Sequence, residues 1–309
     1  MTRVVLLSAT DDLRPLQALL REQAPDLEVC LEGEPGAAEA EIAACWRPPV
    51  GSLGALEHLR LVHSIAAGID NLLHDPSLPL HVPVCRIVDS DHRQGMAEYV
   101  LWSVLHFHRH FDEVLARQPS GQWQTPPQRP ALECRVGVLG LGVLGAHAAG
   151  LLAQLGFSVR GWARSAKDLA GVETYAGAEQ LPAFLDGLHI LVCLLPLTTE
   201  TRGLLDAQAF ARLAPGAGLI NCGRGEHVVR ADLLEALDSG QLRGAVLDVF
   251  EQEPLPADDP LWRHPRLSLT PHMASVASEA SVARQLIANI RRLEQGEPLL
   301  NRADPRNGY

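Results

Sequence analysis

The chain has 309 residues, of which 47% are hydrophobic and 20% charged. That is a globular composition, long enough for two domains of roughly 150 residues each. A formal net charge of −11 argues against nucleic acid and anionic membrane surfaces as partners, since both would repel it.

The sequence starts MTRVVLLSATDD, an apolar run too short for a signal-peptide core and followed at once by two aspartates. No run approaches the roughly eighteen apolar residues of a membrane span, so a cytoplasmic protein is expected. Cys30, Cys45, Cys85, Cys134, Cys193 and Cys222 form no C-x-x-C pair. They read as small buried residues rather than as a zinc ribbon or a redox dithiol.

Short apolar runs alternate with helical patterns along the chain, the signature of parallel sheets covered by helices. In the first third, strands are expected at VVLLSA from Val4, EIAACW from Glu41, LRLVHSIA from Leu59 and VPVCRIV from Val82, with a helix at LRPLQALLREQ from Leu13. A long helical pattern runs from Gly95 to Gln118. The Pro- and Gln-rich stretch PSGQWQTPPQRPALE then reads as a surface arm or a linker around Trp123. From Arg135 the alternation is more regular, with strands at RVGVLG, SVRGWA, HILVCLLP, AGLINCG, GAVLDVF and RLSLTPH. Six strands joined in this way fit a doubly wound dinucleotide fold. A final helix is expected at about 275–295.

The first strand of that second series runs into Gly140-x-Gly142-x-x-Gly145 and an apolar helix. In such a strand–turn–helix, the first glycine permits a tight turn and the second lets the backbone approach a pyrophosphate. The third allows close packing of helix on strand. The acid that usually ends the second strand and binds the ribose 2′-hydroxyl is missing. Arg164, Ser165 and Lys167 stand there instead, either as a solvated turn or as a pocket for a 2′-phosphate, hence NADPH in preference to NADH. His106, His108 and His110 invite a metal reading. Only His106 and His110 share a helix face, and with no acidic or thiolate third ligand no metal is expected.

Three later segments, NCGRGEHVV from Asn221, LDVFEQEPLP from Leu247 and LSLTPHMASV from Leu267, join GVLGLGVLG, SIAAGIDNL from Ser64 and GMAEYVL from Gly95. Together they resemble the D-isomer-specific 2-hydroxyacid dehydrogenase family. WRPPV, LDSGQLRGAVLDVFEQEPLP, LWRHPRLSLTPH and the terminal Gly308-Tyr309 are similar to its glyoxylate/hydroxypyruvate reductase A type. The resemblance implies two doubly wound domains: a flavodoxin-like substrate domain, 1–96 with 284–309, and a Rossmann domain, 97–283. It also implies reduction of a small 2-oxo acid to a 2-hydroxy acid, and a homodimer.

Carried over residue by residue, the family's catalytic set falls on Arg224, Glu253 and His272. The chemistry agrees. A guanidinium can fork onto a carboxylate and the neighbouring carbonyl, imidazolium can protonate the oxygen that hydride attack leaves charged, and a paired glutamate favours that charged ring. The resemblance assigns the substrate carboxylate to backbone N–H groups at Ala67 and Gly68, and Trp46 is either a lid on a small pocket or a core residue. Val143, Leu144, Leu195, Pro196, Cys222, Gly223 and Asp248 complete the expected cofactor contacts with the glycines and the basic tip, although Cys222 has no task in hydride transfer and reads as packing. Alternatives at this stage are another acid, such as phosphoglycerate or formate, or a non-catalytic nucleotide sensor on the same fold.

Overall fold

The computed structural model describes residues 1–73 and 75–305. Gly308 and Tyr309, quoted above, lie outside the described residues. The chain divides into two compact units, 1–92 with 276–309, and 93–275. The borders fall a few residues before those expected from sequence, because the long helix begins at Ser90 rather than near Gly95 and the closing helix begins at Glu279.

In the first unit the strands are β1 (Arg3–Leu7), β2 (Glu28–Leu31), β3 (Ile42–Cys45), β4 (Leu61–Ser64) and β5 (Val84–Cys85). They pair in the order β2-β1-β3-β4-β5, all parallel, which is the flavodoxin-like winding. The end of the chain returns as an antiparallel edge strand, Arg302–Ala303, on β5. Alternation along β1 splits the core into two layers. Val4 and Leu6 face Leu16 and Leu20 of the helix Arg14–Gln23 and Val282, Leu286 and Ile290 of the helix Glu279–Gln295. Val5 and Leu7 face Leu53, Val62, Ile69 and Leu72.

The second unit holds β6 (Arg135–Leu139), β7 (Ser158–Ala163), β8 (Val172–Ala176), β9 (Ile190–Cys193), β10 (Ala217–Asn221), β11 (Leu242–Leu247) and β12 (Leu267–Leu269). Their order is β12-β11-β10-β9-β6-β7-β8, parallel throughout. Val136 and Val138 pack on one layer, Leu139 on the other, so apolar residues at successive positions are needed and the strands read as unbroken apolar runs.

Three strands were not anticipated, the short Arg302–Ala303 edge and two longer ones. β2 (EVCL) and β8 (VETYA) are the outer strands of their sheets, and a half-covered edge does not demand a continuous apolar run. The expected helix over 95–118 is two helices, Ser90–His108 and Phe111–Arg117. His110 takes φ 58 between them. Arg243 from β11 caps the first helix by donating to the carbonyl of Phe107 and pairs with Asp112 at 3.3 Å. The three histidines of this region go to separate partners: His106 stacks on Trp102, His108 meets the edge of Phe157, and His110 pairs with Glu113. Trp123 is fully exposed, on a stretch without regular structure. All six cysteines are buried thiols. No helix among the described residues is long and apolar enough to cross a membrane.

One buried polar pin joins the closing helix to the first sheet. His63 on β4 donates from Nδ1 to the carbonyl of Ser64 (2.8 Å), and its Nε2 accepts from Asn289 Nδ2 at 3.1 Å. Asn289 also bonds both polar backbone groups of Leu300. Burial pushes the pKa of His63 down to about 4, so the folded state keeps it neutral while the unfolded chain protonates it near pH 6.5. The stability of the first unit should therefore be intact above about pH 6.5 and should fall as pH drops toward 4, by on the order of 3 kcal/mol from this group alone. Urea midpoints of wild type and His63→Gln between pH 7.5 and 4.5 check this. The wild-type curve should be the steeper, and equal slopes would refute the assignment.

Candidate active site

The glycine loop is built as its spacing requires. Gly140 leaves β6 with φ 98, and an added Cβ would lie 2.7 Å from the carbonyl oxygen of Leu194. At Gly145 a Cβ would come within 1.8 Å of the carbonyl oxygen of Gly140, so only glycine lets the helix Val143–Gln154 start this close to the strand. Gly142 is the N-cap of that helix and has nothing within 4 Å of its Cβ position. The first helix turn thus presents open backbone N–H groups, a cradle suited to a phosphate. Val143 beside it is exposed and Leu144 half-buried.

At the tip of β7, Arg164, Ser165 and Lys167 are all exposed. Glu173 is not an acid of this tip; it pairs with Arg160 (3.3 Å) and accepts from the hydroxyl of Tyr175. One acid from another strand end has its charge felt by Arg164. Glu200, in the turn after β9, is held below the usual carboxylate range by Thr198, its own backbone and the charge of Arg164.

Arg224 follows β10 through Cys222 and Gly223. Asn221 braces the turn, with Oδ1 accepting from the N–H of Gly223 (3.1 Å) and Nδ2 donating to the carbonyl of Arg224 (2.9 Å). The Arg224 N–H donates to Nδ1 of the fully buried His227 (2.9 Å), and Nε2 of that ring faces the carbonyl of Pro196 at 3.3 Å. This network fixes His227 as the Nε2–H tautomer. It ties the arginine turn to the Leu195–Pro196 segment after β9. The histidine stands within the quoted GRGEHVV, but nothing in the sequence says that its ring faces backward onto the Arg224 amide. Gly225 is forced too, since a Cβ there would meet the backbone of Phe250 at 2.1 Å. Burial pushes the Cys222 thiol well above its ordinary pKa, in line with a packing residue.

Beyond β12 the chain makes a tight turn in which His272 has φ 53, a left-handed conformation that costs a residue with a side chain about 1–2 kcal/mol. Asp248, at the end of β11 and 1% exposed, holds the turn in place. Its Oδ1 accepts from the Thr270 hydroxyl (2.6 Å) and the Met273 N–H (2.8 Å), and its Oδ2 from the Ala274 N–H (2.9 Å). Its own carbonyl accepts the His272 N–H (2.9 Å). Because the one Thr270 hydroxyl proton is committed to Asp248, Tyr99 must be the donor in its 2.5 Å contact with Thr270. Asp248 was expected as a cofactor contact; in the structure both of its oxygens accept hydrogen bonds from the His272 turn.

The imidazole itself meets Glu253, Nδ1 to Oε2 at 2.7 Å, with side-chain exposures of 26% and 11%. Glu253 is oriented in turn by the Phe250 N–H on Oε1 (2.8 Å). With Nδ1 engaged, proton exchange falls to Nε2. A carboxylate, an imidazole and an arginine at the ends of neighbouring strands can bind a carboxylate and hold a proton for an adjacent oxygen.

In the first unit, Trp46 follows β3, half-buried, with the Arg47 guanidinium over its ring at 5.3 Å. The loop after β4 is half-buried. The carbonyl of Ala66 accepts from the Ile87 N–H, that of Ala67 from Arg86 Nη1, and that of Gly68 from the Ser64 hydroxyl. No group among the described residues accepts the N–H of Ala67 or of Gly68. Two adjacent, unclaimed N–H groups suit an anion.

A model of the D-isomer specific 2-hydroxyacid dehydrogenase NAD-binding domain matches residues 101–274. The chain is 44% identical over 275 residues to a glyoxylate/hydroxypyruvate reductase A of Serratia proteamaculans, covering 87% of this chain and 88% of that one. A D-isomer specific 2-hydroxyacid dehydrogenase from Xanthobacter autotrophicus, solved with NADPH and MES, superimposes with a TM-score of 0.92 at 45% identity, covering 100% of this chain and 99% of that chain. An NADPH-dependent glyoxylate/hydroxypyruvate reductase from Sinorhizobium meliloti, solved with NADP and sulfate, gives a TM-score of 0.92 at 36% identity over 100% of both chains.

The glycine geometry separates packing from binding. Gly145→Ala should destabilise the second unit by roughly 1–3 kcal/mol, because backbone must move, lowering its Tm by about 2–12 °C. Gly142→Ala, with open space and φ −74, should shift it by less than half as much. Calorimetry of the two variants checks this; similar losses in both would contradict the described cradle.

Proposed function

We propose that this chain, which belongs to the D-isomer specific 2-hydroxyacid dehydrogenase family and is an NAD(P)-dependent oxidoreductase, reduces small 2-oxo acids of the glyoxylate and hydroxypyruvate type and prefers NADPH. The observation that carries the reading is the Glu253–His272 pair at 2.7 Å on the turn held by Asp248, with Arg224 on the neighbouring strand end.

The cofactor residues are Gly140, Gly142, Val143, Leu144 and Gly145 at the cradle, Arg164, Ser165 and Lys167 at the β7 tip, and Leu195, Pro196, Cys222 and Gly223 on the strand ends beside it. When bound, the dihydronicotinamide supplies the hydride. Arg224 holds the substrate carboxylate and its 2-oxo oxygen. Nε2 of His272 gives that oxygen a proton as the carbonyl carbon is reduced, so that a hydroxyl results. Glu253 keeps Nδ1 occupied, sets the ring plane and balances its charge. The N–H groups of Ala67 and Gly68 are assigned to the substrate carboxylate, and Trp46 to the limit on side-chain size. Asp248 is a positioning residue for His272.

NADPH preference follows from the β7 tip. No carboxylate stands at the position where one would repel a 2′-phosphate, and Arg164 and Lys167 supply charge there. Charge-assisted bonds of roughly 1.5–3 kcal/mol, at about 1.4 kcal/mol per tenfold, allow a ten- to hundred-fold preference. Exposure of these side chains and the presence of Glu200 place the expectation at the lower end. The exposed apolar side chains Trp102, Leu105, Phe111, Val114, Leu115 and Trp123 support a homodimer through the second unit, which the mass in solution measures.

The test is a panel of glyoxylate, hydroxypyruvate and phenylpyruvate, each with NADPH and NADH. The two small acids should give the higher kcat/KM, and phenylpyruvate as best substrate would sink the small-pocket reading. Arg164→Ala should lose activity with NADPH but not with NADH; equal loss with both removes Arg164 from the phosphate site. His272→Ala should lower kcat by roughly 10²–10⁴ with nucleotide affinity unchanged. A variant retaining half of the wild-type kcat would refute the role of His272.

A further inference from the structure

Arg86 follows β5, at the same C-terminal sheet edge as the loop after β4. It is half-buried, and burial draws its pKa down with no carboxylate opposing the shift. Other arginines of this chain differ. Arg3, Arg60, Arg160, Arg230 and Arg291 each lie within 3.3 Å of a carboxylate. Among the described residues no carboxylate pairs with Arg86. Its side chain instead donates from Nη1 to the carbonyl of Ala67 at 3.0 Å. Partly burying a cation away from any carboxylate is costly, so its placement needs an account.

The loop supplies it. Of the six backbone polar groups of Ala66, Ala67 and Gly68, four are claimed. The Ala66 N–H goes to the Ser64 hydroxyl, and the three carbonyls accept from Ile87, Arg86 and Ser64. The two left are the adjacent N–H groups of Ala67 and Gly68. In a trans peptide the C=O and N–H point in opposite directions, so a guanidinium on the Ala67 oxygen aims the Gly68 N–H away from itself. A charged donor on that oxygen also polarises the peptide, which strengthens the N–H as a donor.

We propose that Arg86 is a positioning residue for the substrate carboxylate, acting through the Ala67–Gly68 peptide, which it orients and polarises, and supplying the counter-charge that the carboxylate completes. This rests on the assignment of the Ala67–Gly68 loop to that carboxylate. A general anchoring arginine would affect folding and all ligands alike; this one should affect only the ligand whose carboxylate meets the Ala67–Gly68 loop.

The experiment uses the full chain with NADPH. It measures KM and kcat for glyoxylate, the inhibition constant of oxamate, the NADPH dissociation constant and Tm, in wild type, Arg86→Gln and Arg86→Lys. Arg86→Gln should raise the glyoxylate KM and the oxamate constant in parallel by about ten- to hundred-fold. Its kcat should stay within about threefold and its NADPH affinity should be unchanged. Arg86→Lys, which keeps the charge without the planar fork, should fall between the two. Unchanged KM and oxamate constant in a folded Arg86→Gln overturn the proposal, as does an equal weakening of NADPH. If Arg86→Gln does not fold, Arg86→Lys decides, with a rise of at least about threefold in both constants expected and wild-type values overturning it. Wild type that neither reduces glyoxylate nor binds oxamate would instead overturn the reading of the loop itself.

Discussion

Both oxygens of the Asp248 carboxylate are spent inside the protein, on one hydroxyl and two amide N–H groups of the segment 270–274. His272 occupies a left-handed conformation that its own side chain disfavours, and charge-assisted bonds to a buried acceptor offset that cost. The buried carboxylate therefore decides where the imidazole stands. Glu253 decides which nitrogen of the ring is engaged, and Phe250 decides where Glu253 points. The chain of dependence runs from a buried acid through backbone to the imidazole.

The same device recurs on the neighbouring strand end, with neutral groups. Asn221 holds the turn of Arg224 from both sides and His227 holds its amide from behind. Because His227 also reaches the carbonyl of Pro196, the arginine turn and the segment after β9 are fixed as one piece. Arg224 and His272 are thus carried on short loops, and each loop is clamped by buried polar residues. Preorganisation of this kind is what lets a few exposed groups act without reordering during the reaction.

Charge is distributed with the same economy. The chain as a whole is strongly acidic, and several of its arginines are neutralised by carboxylates at the surface, where such pairs contribute little to stability. Arg86 and the β7 tip depart from this pattern. Arg86 is half-buried and, among the described residues, bonds a carbonyl rather than a carboxylate, while Arg164 and Lys167 are exposed at a strand end without the usual acid. In a molecule that repels anions at long range, these are local concentrations of positive charge.

Much of this was legible from the sequence because the periodicities and the glycine spacing record local requirements. Strands buried on both faces must be apolar at successive positions, so β1, β3, β4, β6, β9, β10 and β11 show as apolar runs. Gly145 is demanded by the carbonyl of Gly140, five residues back, and Gly140 by the left-handed turn that leaves β6. Arg224, Glu253 and His272 were located by motif resemblance, each at the end of an expected strand. What the sequence could not disclose depends on groups far apart along the chain. The outer strands β2 and β8 lack full burial and so lack the signal, and the break at His110 depends on Arg243. The acid whose charge bears on Arg164, Glu200, comes from the turn after β9, a strand not adjacent to β7. Asp248 reads as one more polar residue at a strand end until the turn around His272 is seen to take both of its oxygens, and Arg86 reads as an ordinary arginine until the carbonyl of Ala67 is found on it. A sequence records what a residue is, whereas the partner that sets its chemistry is chosen by the packing of segments distant in the chain.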